Sequence, residues 1–114
     1  MLIKKEDSKE KKNAESCIVW EYPLESKNLK FAIAKIDGRY PEEGASINEI
    51  CEMIYYVIDG FGIIDCDGKS YEIKKGDLFF IKPKSKYWIS GKNLLIAIPT
   101  SPPWYPEQYK QVKE

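Results

Sequence analysis

Tyr55, Tyr87, the cysteines and a cluster of lysines carry most of the chemistry this chain can offer, because its sequence contains no histidine. Without imidazole there is no His-dependent triad, no HExxH zinc site and no imidazole proton shuttle. Cys17, Cys51 and Cys66 are too far apart for a CxxC pair or a zinc knuckle, and three thiols close no disulfide framework. Reduced thiols in a cytoplasmic setting are therefore expected. A thiolate nucleophile needs a neighbouring base or cation, so Cys51 reads as an inert buried thiol. Tyr55 or Tyr87 could serve as a general acid, with Glu49 or Glu52 as the partner base. Lys74, Lys75, Lys82, Lys84 and Lys86 surround Phe79, Phe80, Tyr87 and Trp88, a mixture that in a basic protein suggests stacked single-stranded nucleic acid. Here 18 basic side chains face 18 acidic ones, and a formal charge of zero gives no general pull on nucleic acid or anionic membrane. Neither is expected as a partner, and the lysines read as a solvated rim.

The elements that must position these groups are short and β-rich. A chain of 114 residues makes one domain with one core. Residues 1–15 form a charged run without apolar period and are expected to be a flexible arm. Strands are expected over residues 17–22, 29–36, 47–58, 62–66, 69–73, 78–81, 86–90 and 94–98. Asp37-Gly38, Asp59-Gly60, Gly76-Asp77 and Gly91-Lys92-Asn93 mark turns between them, and Asp67-Gly68 marks a tight hairpin. No segment keeps a helical apolar period, so the fold class is all-β, a sandwich or barrel. Residues 104–114, following the proline-rich run that begins at Pro99, are expected to cross the barrel of residues 16–103 as an extended strap. No apolar run approaches the roughly 20 residues of a membrane helix.

The order of these pieces resembles the cupin family, a double-stranded β-helix or jelly-roll barrel. Asp59-Gly60-Phe61-Gly62 leads into a strand, Asp67-Gly68 turns it, and Tyr71-Glu72-Ile73-Lys74-Lys75-Gly76-Asp77 is similar to the family's strand ending in Gly-Asp. Ile81-Lys82-Pro83-Lys84-Ser85-Lys86-Tyr87 resembles its proline-containing turn. Anchored on Gly60, the first metal-binding motif of the family would place Ser46 and Asn48 at its histidines and Met53 at its glutamate. Anchored on Gly76, the second would place Tyr87 at its histidine. Those side chains are poor ligands for a transition metal, so neither a metal nor another cofactor is expected.

If position 53 faces inward as the resemblance implies, strand alternation turns Cys51, Tyr55 and Val57 inward with it. The expected site is then a mostly apolar pocket holding Tyr87, Tyr55, Cys51 and Met53, with Asn48 and Ser46 near its mouth and Lys82 and Lys84 beside it. The leading reading is a metal-free cupin-like domain that binds a small polar or anionic metabolite, such as a carbohydrate derivative. The alternatives are a metal-independent isomerase, epimerase or lyase using tyrosine and carboxylate groups, and a structural domain whose barrel is filled. Because Ile54, Tyr56 and Ile58 must also find cover, a homodimer is expected.

Overall fold

The computed structural model describes residues 1–113, and they are nearly all β. The strands are β1 (Lys9–Ala14), β2 (Cys17–Glu21), β3 (Lys30–Tyr40), β4 (Ala45–Asn48), β5 (Glu52–Cys66), β6 (Lys69–Lys74), β7 (Leu78–Ile81), β8 (Lys86–Ser101) and β9 (Tyr109–Val112). They form one curled sheet in the order β1-β2-β3-β8-β4-β9, with β5 joining β8 to β6 and β7. The long strand β8 is the hub, pairing antiparallel with β3, β4 and β5. Among the described residues no helix is long and apolar enough to cross a membrane.

The β5–β6 hairpin turns at Asp67-Gly68, both with positive φ (52° and 84°), the geometry of a type I′ turn. At Asp59-Gly60 and at Gly91-Lys92-Asn93, however, the chain does not turn. It continues as β5 and β8, and the pairing of the two slips between Val57 and Asp59 and again between Asp59 and Phe61. These signals mark bulges, which bend a strand without ending it. Gly60 shows why glycine is needed: its φ is +83°, and a Cβ there would lie 2.3 Å from the Asn93 carbonyl oxygen.

Three further expectations change. Residues 47–58 are not one strand, because the backbone N–H groups of Glu49, Ile50 and Cys51 bond to Gln108 instead of to a ladder. Residues 9–14, read as part of a flexible arm, pair with β2 as an edge strand; charged side chains suit a solvated edge. The C-terminal segment is more than a strap, since Tyr109–Val112 pairs with β4. Pro99 lies inside β8, opposite Phe31 and close to the end of that pairing.

The fully buried Val57, Ile64, Ile81, Ile89 and Leu94 pack one part of the barrel solidly. Elsewhere the β2 and β3 side chains Cys17, Ala32 and Ala34 are small, and space remains.

Candidate functional site

That space is a cavity of about 290 Å³, near the lower end of ligand-pocket sizes. Its apolar walls come mainly from Val19, Ala32, Ala34, Ile96 and Ile98. Four phenols line it: Tyr40 from β3, Tyr55 from β5, Tyr87 from β8 and Tyr109 from β9, together with Trp104. The exposed Lys11 and Asn13 of β1 lie on its solvent side. Glu21 and Lys30 also reach it and form an ion pair of 2.7 Å, both partly exposed. Lys30 Nζ lies 5.7 Å from the centre of the Trp104 ring, within cation–π range.

The side chains picked out from sequence divide into three groups. Tyr87, Tyr55 and Met53 line the cavity together. Asn48 and Ser46 do not open onto it; fully buried, they bond to the phenols from behind. Asn48 Nδ2 donates to the Tyr87 hydroxyl at 3.0 Å, and Ser46 shares a 2.6 Å hydrogen bond with the Tyr109 hydroxyl. Cys51, Lys82 and Lys84 lie away from the cavity. The Cys51 thiol donates to the Pro102 carbonyl oxygen at 3.3 Å, and the two lysines are exposed on the turn between β7 and β8. The cations at the cavity are instead Lys11 and Lys30. Likewise Glu49 pairs with Lys110 at 3.0 Å and Glu52 is exposed, so the carboxylate available at the cavity is Glu21.

Protonation follows from burial. Desolvation raises the Cys17 thiol to about 11, and it pushes Cys51 and Cys66 upward as well. All three cysteines are free, and around neutral pH Cys17 is a thiol, not a thiolate. Burial also raises Tyr40, Tyr55 and Tyr87. For Tyr87, hydrogen bonds from Tyr55 and Asn48 act in the opposite direction without cancelling the effect. These phenols are therefore proton carriers and hydrogen-bond donors at neutral pH, not bases.

The donor set does not suit a transition metal. Ser46 and Asn48 are committed to tyrosines, Met53 offers only a thioether, and the Tyr87 phenol is held protonated. Among the described residues no three Cys, Asp or Glu side chains gather as metal ligands would.

Alternation on β5 marks Met53 and Tyr55, but sequence reading missed Tyr40, Tyr109, Trp104, Glu21 and Lys30. Two signals were present. Lys30, Ala32, Ala34 and Ile36 alternate along β3, and the alanines among them leave volume.

A curled barrel, solid in one part and hollow beside a cluster of phenols, defines a jelly-roll domain with an internal, ligand-sized cavity. A family model described as AraC-like ligand binding domain matches residues 52–87. The Schizosaccharomyces pombe Cnp3 cupin domain superposes with a TM-score of 0.68 at 10% identity, over 79% of this chain and 67% of that one. The fold is that of a cupin-type jelly-roll barrel. The nucleoside dehydratase Pac13 of Streptomyces superposes with a TM-score of 0.88 at 14% identity, over 99% of this chain and 91% of that one. KdgF from Halomonas sp. gives 0.75 at 15% identity, over 91% and 94%. At such identities the likeness is one of fold. In sequence, the uncharacterized protein MJ1618 of Methanocaldococcus jannaschii is 40% identical over 40 residues, and the match spans 35% of this chain and 32% of that relative's length.

Proposed function

We propose that this domain binds a small polar or anionic metabolite, of the nucleoside or carbohydrate class, inside the barrel. The observation that carries the reading is the cavity of about 290 Å³, whose apolar walls meet four phenols at its wall and a Glu21–Lys30 pair. Apolar walls exclude water and strengthen each polar contact, while a few fixed polar groups set orientation. Lys30 and Lys11 favour a ligand with negative charge toward the solvent side. The similarity to Pac13 supports a nucleoside-like ligand, since variants of that protein have been crystallised with uridine. Titration with uridine and with uridine 5′-monophosphate, followed by chemical shifts of the Met53 methyl group, tests it. Saturable shifts, stronger for the phosphate, are expected; no shift at millimolar concentration of either would overturn the reading.

A second reading is proton transfer in the same cavity, with Glu21 as base and a protonated phenol as acid. It is favoured by the position of Glu21, the carboxylate that the cavity does contain. One Pac13 variant with uridine replaces a histidine, a residue type this sequence lacks, so binding without that chemistry is the simpler proposal. The three free thiols support a reducing cytoplasmic setting, and the outer apolar face of β5 and β7 supports a homodimer.

A further inference from the structure

The Tyr87 hydroxyl ends a chain of hydrogen bonds whose direction is set by groups that cannot reverse. Gln108 is buried, 2% exposed. Its Oε1 accepts from the backbone N–H groups of Ile50 at 3.3 Å and Cys51 at 3.2 Å. Backbone N–H groups only donate, so turning the Gln108 amide over would set its NH₂ against two donors. Its Nε2 therefore points to Asn48, donating to Oδ1 at 2.9 Å. The indole N–H of Trp104, another group that only donates, meets the same Oδ1 at 3.2 Å. With Oδ1 held by two donors, the NH₂ of Asn48 must face Tyr87, and it donates to the phenol oxygen at 3.0 Å.

The phenol oxygen thus accepts, and its own hydrogen is left for the cavity side. The Tyr55 hydroxyl donates to the same oxygen, so the acceptor left for the Tyr87 hydrogen is Met53 Sδ at 3.8 Å, a weak thioether. Tyr87 is 5% exposed and lines the cavity, so this under-used donor sits where a ligand would lie.

We propose that Gln108 and Asn48 are positioning residues that hold Tyr87 as a hydrogen-bond donor into the cavity, so that the cavity selects an acceptor oxygen there, carbonyl, carboxylate or phosphoryl, over a group that only donates. This rests on the ligand-binding reading and names the ligand chemistry at one end of it.

Asn48→Asp is the discriminating change. A carboxylate of the same shape still accepts from Gln108 and Trp104, but it also accepts from Tyr87, and three donors keep it ionised. The phenol then turns its hydrogen away from the cavity and presents its oxygen. Two rings of similar size serve as probes: cyclopentanone, which only accepts, and pyrrole, which only donates. Followed by the Met53 methyl shift, the wild-type protein is expected to favour cyclopentanone by about two- to tenfold, the effect of one hydrogen bond, and Asn48→Asp to reverse the order. A preference for pyrrole in the wild type, or an unchanged order in a folded Asn48→Asp variant, overturns the proposal. If neither ring binds, or if the variant does not fold, side-chain amide contacts in the wild-type protein decide. Nuclear Overhauser contacts from the Asn48 NH₂ to the Tyr87 ring support the relay even where the ligand reading fails; contacts from that NH₂ to the Trp104 indole proton alone refute it.

Discussion

Tyr55 and Tyr87 meet edge to face in the cavity wall, their ring centres 6.1 Å apart and their planes 85° from parallel. One comes from β5 and the other from β8, so the pair exists only because these two strands curl around the same space. Edge-to-face contact adds about 0.5–1.5 kcal/mol beyond area burial, and here it also holds the Tyr87 ring against Asn48.

Tyr87→Phe keeps that ring contact but removes the oxygen that accepts from Asn48. The buried Asn48 NH₂ is then left with Met53 Sδ at 3.8 Å. A loss of about 1–3 kcal/mol in unfolding free energy is expected from urea denaturation. Uridine affinity should fall as well, by about two- to tenfold for one lost hydrogen bond. An unchanged urea midpoint would mean that the Asn48–Tyr87 bond does not form.

Glu21→Gln separates the electrostatics of the cavity from its shape. The Glu21–Lys30 pair is partly exposed, so its loss should cost less than about 1 kcal/mol of stability. Freed from its counter-charge, Lys30 should favour uridine 5′-monophosphate over uridine more strongly than in the wild type, and high salt should erase the gain. Calorimetric titration at two salt concentrations checks this, and equal selectivity in both proteins would exclude Lys30 from anion binding.

The pH dependence of stability is expected to lie on the alkaline side. The Cys17 thiol stays protonated in the folded protein up to about pH 11, whereas its ordinary value is 9.0. Its contribution is fully present below pH 9 and is lost as the pH rises from 9 through 11, because only the unfolded chain releases the proton in that window. Two pH units correspond to about 2.7 kcal/mol, and the buried tyrosines, also shifted upward, add to the same trend. Urea midpoints measured from pH 7 to 11 should be flat and then fall, with a shallower fall in Cys17→Ala. A midpoint that rises above pH 9 would contradict the burial of these groups.

The outer face of β5 and β7 carries four apolar side chains as cross-strand neighbours, Ile54 beside Phe80 and Tyr56 beside Leu78. Tyr56, Leu78 and Phe80 are 43%, 56% and 44% exposed, a patch better covered than solvated. With a second copy of the chain as its cover, light scattering should give twice the mass of 13.2 kDa, and Leu78→Glu should give the monomer without loss of fold. A wild-type monomer at high micromolar concentration would sink the dimer.

Much of the architecture was legible locally. Turn chemistry located the Asp67-Gly68 hairpin, because a type I′ turn needs two residues with positive φ and these two supply them. Period-two alternation turned Met53, Tyr55 and Val57 inward together, since neighbours two apart on a strand must share a face. The same local signals misled at Asp59-Gly60 and at Gly91-Lys92-Asn93, where a bend and a turn ask for the same residues and only the partner strand decides between them.

What the sequence determined by itself is an all-β chain without imidazole chemistry, with one inward row on β5 and a tyrosine at the position where the family resemblance expects a ligand. Tertiary structure alone decided what stands opposite that row. Alternation says which residues share a face but not which face they meet, and strand order depends on pairings between distant segments, such as β8 with β3 and β4 with β9. Those pairings bring Glu21, Lys30, Tyr40 and Tyr109 to the cavity and leave Lys82 and Lys84 in solvent. They also set Gln108 against the backbone N–H groups of Ile50 and Cys51, and a buried amide with fixed donors on one side has only one way to face Asn48.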